Sequence, residues 1–449
     1  RVGQSLLNIA PEASAAYSLR SLTGGDPKVV RVRRASDNHE QDFTASGVSS
    51  GALVDFVNAD GTQFMNFDGT DDDITTPALL PATDDFTLTI VAFIESTPSS
   101  AMGIFGSAAG GTGRHVLQLN TDGTVRFFAE NLGSAATTTA TIIEKSINTI
   151  VLTRTGQTFE ITLNGGGAAS QTGSSVVLTT GNNNIGDPYV GVNFQGVITS
   201  LSVASTTWDG TIANVPAGST VNGSPSTNAL NDGFVNTWYD QSGNGFNAVA
   251  DADVNEPKIV NSGSLLTDGI KFSSGTNLEL SGTGLDIFKN TQYAQVFYAI
   301  KINDTSTSTT GFFEARNNSS QARFLLRNSN ATADRISLGG RRLDSDSFSS
   351  FQSNSGHSNE KIVLTGFINY SDADAFIFKN GTQIGSDTSF LTAGATSDTR
   401  STIIAIGRAG ASSTAEFDAE ELIIFNTDQT ANRTAIETNI ANEYGITLS

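Results

Sequence analysis

The chain has 449 residues, a formal net charge of -20, 16% charged residues and no cysteine. The missing cysteines exclude disulfides, thiolate nucleophiles and thiolate metal sites together. The acidic balance argues against direct nucleic-acid binding and against adhesion to anionic membrane, and no run of apolar residues is long enough for a transmembrane helix. The length exceeds one ordinary core and predicts two or three domains. With 27 Phe but only 2 Met and 2 Trp, and with 45 Gly, the composition predicts short strands joined by polar turns, an all-β class. The first residue is Arg1 rather than Met, which suggests a processed chain or a fragment.

Residues 1–58 read as a β-rich N-terminal segment. In 29–34, VVRVRR, Val29, Arg31 and Arg33 alternate with Val30, Val32 and Arg34, the pattern of an edge or surface strand. Residues 49–58, SSGALVDFVN, suit a short helical or extended connector. From residue 59 the text becomes a series of apolar bursts ending in Asp, Asn or Gly, with hairpin signals at 121–128 and 154–166. This first module runs to 207. Residues 208–263 are Gly-, Ser-, Asn- and Pro-rich at first, a linker or long loop, and then carry FVNTWYDQSGNGFNAV at 234–249. The strand format returns in 264–449.

The correspondence is clearest between TIVLTRTGQTFEITLNGG (149–166) and KIVLTGFINYSDADAFIFKNGT (361–382). It predicts two related modules, each burying its own sheet-on-sheet core. The last segment, 427–445, is the best helix candidate, with Thr427 or Asp428 as cap, Ile436 and Ile440 on one face, and Gly445 as stop.

Three strings carry a family resemblance. AYSLR (16–20), VVRVRRASDNHEQDFTA (29–45) and GFVNTWYDQSGNG (233–245) resemble a signature recurring in tail, fibre and other virion proteins of bacteriophages and prophages, and in some secreted bacterial proteins. The YDQSGNG element is also similar to one in the β-sandwich module of α-L-arabinofuranosidases. FDGTDDDI (67–74) and DGIKFSSGTNLEL (268–280) resemble the opening strand of laminin-G/concanavalin-A-like lectin domains, and FQGVITSLSV (194–203) and FDAEELIIFNT (417–427) the closing strand. The resemblance implies two jelly-roll sandwiches, the first inserted into a composite region that begins near Ala15 and resumes near Gly233. It implies a virion-surface protein, displayed on capsid or tail, whose partners are other virion proteins, copies of itself or host glycans. A secreted adhesin or carbohydrate-binding protein is the alternative.

Asp68, Asp71, Asp72 and Asp73 form the densest carboxylate cluster, with Asp187 as a further ligand candidate. Oxygen-rich loops of this kind hold Ca²⁺ without Cys or His, and they are equally the composition of a solvated turn. No other cofactor is expected. Glycan contact calls for an aromatic platform and polar neighbours, which makes Tyr189, Trp208, Trp238, Tyr239 and Asp240 candidates. Asp240 is the residue that the arabinofuranosidase resemblance brings forward as catalytic. Glycoside hydrolysis needs a second carboxyl across the bond, and no motif supplies one; the pocket cysteines of that family are also missing. The alternative for Asp240 is a turn acceptor above packed Trp238 and Tyr239, and the expected protein is not an enzyme. Arg31, Arg33 and Arg34 serve either docking onto an acidic neighbour or solubility of a solvent-facing strand. His39, His115 and His357 have no metal or triad spacing, and Asn222, Asn303 and Asn432 head N-x-S/T strings that polar composition alone produces.

Overall fold

The computed structural model describes residues 5–59, 61–188, 193–204, 206–228, 230–303, 310–317, 322–329, 332–357, 359–410 and 414–449. It is 46% strand and 9% helix, a nearly all-β chain. It divides into two compact units, one made of residues 1–34, 40–57 and 232–449, the other of residues 35–39 and 58–231.

The second unit is a sandwich of two antiparallel sheets. One runs Gly166–Thr172, Thr158–Leu163, Ser146–Thr155, Phe86–Ile94, Gln195–Val203, Phe64–Asp68, Ser226–Asn228; the other runs Ala136–Thr141, Thr124–Ala129, His115–Leu119, Met102–Ser107, Asn183–Ile185, Asp73–Thr76, Thr220–Asn222. The period-two pattern that makes such strands is plainest in Ser146–Thr155, where Ser146, Asn148, Ile150, Leu152 and Arg154 face inward and the residues between them do not. Arg154 is tolerated inside because its guanidinium donates to the carbonyls of Gly156, Ala82 and Val176, each at 2.8 Å, and lies 5.1 Å from the Phe159 ring centre. Phe67, Phe105, Phe127, Phe159 and Trp208 supply the bulk of this core. Residues 208–230, read from the sequence as a linker or long loop, instead add short edge strands to both sheets. Three-residue strands such as TVN and STN are too short to show a period.

The first unit repeats this plan strand for strand. One layer runs Thr382–Asp387, Asp374–Lys379, Lys361–Asn369, Tyr293–Ile302, Thr414–Phe425, Ile270–Ser274. The other runs Ser349–Gln352, Ile336–Gly340, Ala322–Asn328, Gly311–Arg316, Ile403–Ile406, Leu278–Leu280. To this it adds Ala15–Ser18 on Thr414–Phe425. A ladder of Lys258–Asn261, Gly233–Trp238 and Ala248–Val249 joins one layer to the other. The helix Arg433–Tyr444 buries Ile436 and Ile440 against Phe297, Ile423 and Phe425 and stops at Gly445, whose φ is 65°. Its first turn follows Asn432, not Thr427 or Asp428; the Asp428 carboxylate closes a turn onto the Thr430 N–H at 2.9 Å.

Lys28–Arg34 is not the edge strand its pattern suggests. It pairs with Gly233–Trp238 on one side and Glu40–Thr44 on the other. Arg33 is 1% exposed, paired to buried Glu256 at 2.7 Å and stacked over Phe234. Arg34 donates to the Phe56 carbonyl at 2.8 Å, Arg31 pairs with Asp42 at 2.8 Å, and both are half-buried. Alternation misleads here because side chains meet the strand on both faces, Phe234 and Glu256 against Arg33 and Phe56 of the helix Ala52–Asn58 against Arg34.

The 238–246 segment is a clamp. The Asp240 carboxylate accepts from the N–H groups of Ala16 (2.8 Å), Ser242 (2.9 Å) and Phe246 (3.0 Å) and from the Ser242 hydroxyl (2.8 Å). Gln241 donates to the carbonyls of Ser18 and Arg20 and accepts from Leu22 N–H at 2.8 Å. Trp238, fully buried, packs 5.6 Å from Tyr17, and the Tyr239 hydroxyl donates to Asp42 at 2.7 Å. Asp240→Ala removes the acceptor of three backbone N–H groups at once. It is expected to cost about 3 kcal/mol, at roughly 1 kcal/mol per bond, read as a lower urea midpoint at unchanged slope.

Candidate metal-binding loop site

Three turns meet at one rim of the second unit: residues 69–72, residues 186–187 and residues 223–225. A hydrogen bond ties the first turn to the third, and Gly186 of the second lies against the Asp72 carbonyl, 3.0 Å from where its Cβ would be. Asp72, 2% exposed, accepts from Ser224 N–H on one oxygen and from Asp68 N–H on the other, both at 3.1 Å. Asp68 accepts from Thr70 N–H at 2.7 Å. Gly223 makes the approach feasible: its φ is 74°, and a Cβ there would lie 2.6 Å from the Asp71 carbonyl oxygen and 2.7 Å from Asp72 Oδ1.

Asp68, Asp71 and Asp72 each bring one carboxylate oxygen to within 4.8 Å of the others. A calcium ion bound at 2.3–2.6 Å spans oxygens at such separations, and a carboxylate retains lone pairs after accepting one N–H. The donor set is hard oxygen only, which suits Ca²⁺ rather than a softer metal. Asp71 is exposed, and its carboxylate makes no hydrogen bond among the described residues.

Asp73 stands apart from this trio. Its Oδ1 accepts from the side-chain amides of Asn184 (3.0 Å) and Asn222 (2.6 Å), so it braces the turns from beneath. Asp187, whose N–H donates to Asn184 Oδ1, has its carboxyl raised above the ordinary range by burial and by the negative charge of Asp73. The rim is thus a concentration of negative charge that a divalent cation would relieve. Asn184, Asn222 and Gly223 are the supporting residues that the sequence reading missed. Each lies far along the chain from Asp68, and nothing in local spacing links them.

The remaining candidates are placed elsewhere. Trp208 is fully buried and donates its indole N–H to the Thr211 carbonyl at 2.8 Å, which removes it as a stacking platform, as burial does for Trp238. Tyr189 lies outside the described residues. The four bonds on Asp240 leave it a turn acceptor. His39 is exposed, while buried His357 bonds Asn328 and Asp334. His115, also buried, has Nδ1–H toward the Gly113 carbonyl and Nε2 accepting from Asn183. The side-chain amides of Asn222, Asn303 and Asn432 all donate to neighbouring side chains.

Residues 68–216 match the laminin G family described as the Concanavalin A-like lectin/glucanases superfamily. The second unit is therefore a concanavalin A-like, laminin G domain. No curated protein matches the chain. Among solved structures, domains LG4-5 of the mouse laminin alpha1 chain align at 11% identity over 80% of this chain and 86% of that one, with a TM-score of 0.28. The CBM40 of Ruminococcus gnavus IT-sialidase bound to alpha2,3 sialyllactose aligns at 15% identity over 38% of this chain and 95% of that one, with a TM-score of 0.31. Likenesses this remote say nothing about ligand. Among the described residues no helix is long and apolar enough to cross a membrane.

Two outcomes follow. Calcium at one hundred times its Kd should raise the unfolding free energy by about 2.7 kcal/mol, and Asp71→Asn, at an exposed position, should abolish that increment while leaving the EDTA-treated melting temperature unchanged. Burial holds the His115 imidazole down at about 4. The unfolded chain, at about 6.5, takes up a proton that the folded chain refuses. This contribution is full above pH 6.5 and is lost as pH falls toward 4, roughly 3 kcal/mol in all. The difference between wild-type and His115→Gln stability curves should carry that slope and flatten above pH 6.5.

Proposed function

We propose that the protein is a non-enzymatic structural protein of a bacteriophage virion, displayed on capsid or tail, whose lectin-type unit contacts glycans of the host surface through a calcium-holding rim. The observation that carries the binding half of this reading is the Asp68–Asp71–Asp72 loop, three carboxylate oxygens gathered within 4.8 Å at the edge of a concanavalin A-like sandwich. Calcium in such a loop would fix the turns and present its open coordination positions to sugar hydroxyls, which are hard oxygen ligands of the kind it prefers.

The virion half is supported by the AYSLR and WYDQSGNG strings and their resemblance to virion proteins. Display suits the chemistry of the chain: weak single-site contacts gain strength when many copies engage one surface, and the net charge of -20 keeps crowded copies apart. The non-enzymatic part is supported by the use made of Asp240, whose two oxygens are occupied by four hydrogen bonds within the clamp.

Binding of the full chain to a bacterial glycan array, with calcium and then with EDTA, tests the first half. Retention of a glycan subset that EDTA and Asp71→Asn both erase is expected, and silence under both conditions sinks it. Mass spectrometry of purified phage particles tests the second half. The chain should be present in fixed stoichiometry, and its absence from particles would leave a secreted adhesin.

A further inference from the structure

The 238–246 clamp has an outer side that the proposed function does not use. Against it lies a cleft of about 450 Å³ in the first unit, within the range of small-ligand sites. Its wall carries Glu12, Ser242, Asn244, Phe246, Thr283 and Asp286, together with Asn426 and short apolar residues, and includes no Lys, Arg or His. Phe246 is half-buried, its ring settled over Gly284, where an added Cβ would come within 3.2 Å of it.

The hydrogen-bond inventory of this wall is one-sided. Both N–H bonds of the Asn244 amide are spent, on the carbonyls of Ala13 (3.2 Å) and Ser14 (3.0 Å). The Ser242 hydroxyl donates to Asp240, the Ser14 hydroxyl to Asn426 Oδ1, and the Asn426 amide to the Ile287 carbonyl. What remains is chiefly acceptors. Among the described residues the Glu12 carboxylate has no partner, the Asp286 carboxylate has only Arg400 Nε at 3.8 Å, and Asn244 Oδ1 is open. A ligand that fills this cleft must bring donors and positive charge, which is the description of an ammonium group. An aromatic ring beside two carboxylates is favourable for such a cation. The larger cleft around Leu19 and Leu265 lacks this polarity, because its Arg20 is paired to Glu421 at 2.8 Å and its Asp26 to Ser46.

We infer that the first unit holds a second, calcium-independent subsite for a protonated hexosamine, its ammonium between Glu12 and Asp286 and its ring against Phe246. The choice of a sugar ammonium over a peptide ammonium rests on the glycan-binding function proposed above; the ammonium selectivity rests on the cleft alone.

The test is titration of the full chain, in EDTA at about pH 6 where the amine is protonated, with glucosamine, N-acetylglucosamine and lysine amide, followed by NMR or calorimetry. Saturable glucosamine binding is expected, at least tenfold tighter than N-acetylglucosamine, which keeps the ring and loses the charge. The double variant Glu12→Gln/Asp286→Asn should weaken it tenfold or more at unchanged melting temperature, and Asp71→Asn, in the other unit, should leave it intact. Equal binding of N-acetylglucosamine, full binding by the double variant, or no binding of glucosamine overturns the site. Lysine amide binding as tightly as glucosamine overturns the sugar assignment. Glucosamine binding by a chain that fails the glycan array would sink the rim reading and leave this one standing.

Discussion

The structure depends on closing a very long excursion of the chain. Gly233–Trp238 pairs antiparallel with Lys28–Arg34, Gly233 opposite Arg34, so the chain must leave at one position and return to its neighbour after about 200 residues. For an unstructured loop the closure entropy alone would be roughly 5 kcal/mol. An insertion that folds as its own sandwich, with neighbouring ends, removes most of that cost. The rest of the closure is enforced by the 238–246 clamp, where one carboxylate and one carboxamide satisfy six backbone groups on both sides of the gap. That is the physical reason for a dense polar string beside a buried Trp: the string replaces the ladder bonds that irregular backbone cannot make with itself.

The same constraint separates the roles of the acidic residues. Asp240, Asp73 and Asp72 all accept backbone or amide hydrogens and hold turns in place. Asp71 and Glu12 are exposed and have carboxylates without a partner among the described residues. A carboxylate already spent on N–H groups is a poor candidate for chemistry but a good foundation for a neighbour that is not. Both proposed sites follow this arrangement, with a bonded acid beneath and an open one at the rim.

The two units share a strand order in both layers, and that was visible beforehand in the paired hairpins 149–166 and 361–382. Turn glycines and period-two apolar residues are local quantities, so a hairpin announces itself in a dozen residues. The edge strands within 208–231 did not, because three residues of Thr, Val and Asn carry no period. Arg33 was misplaced for a related reason: alternation reports that a strand has two faces, not whether something covers the second. The buried Arg33–Glu256 pair joins residues far apart in the chain, and only their meeting makes an inward arginine tolerable.

By itself, then, the sequence determined the all-β class, the duplication, the terminal helix with its Gly445 stop, and the presence of an acidic loop at 68–73. These follow from short-range chemistry: turn residues, strand period, capping and local charge density. The tertiary structure decided which carboxylates converge. It separated Asp73 from the Asp68–Asp71–Asp72 trio by giving it Asn184 and Asn222, and it buried Trp208 and Trp238 away from any ligand. It also decided which acceptors of the clamp face inward and which are left over around a cleft. Those outcomes depend on hydrogen-bond partners far away in sequence, and a partner's position exists only once the sheets have packed.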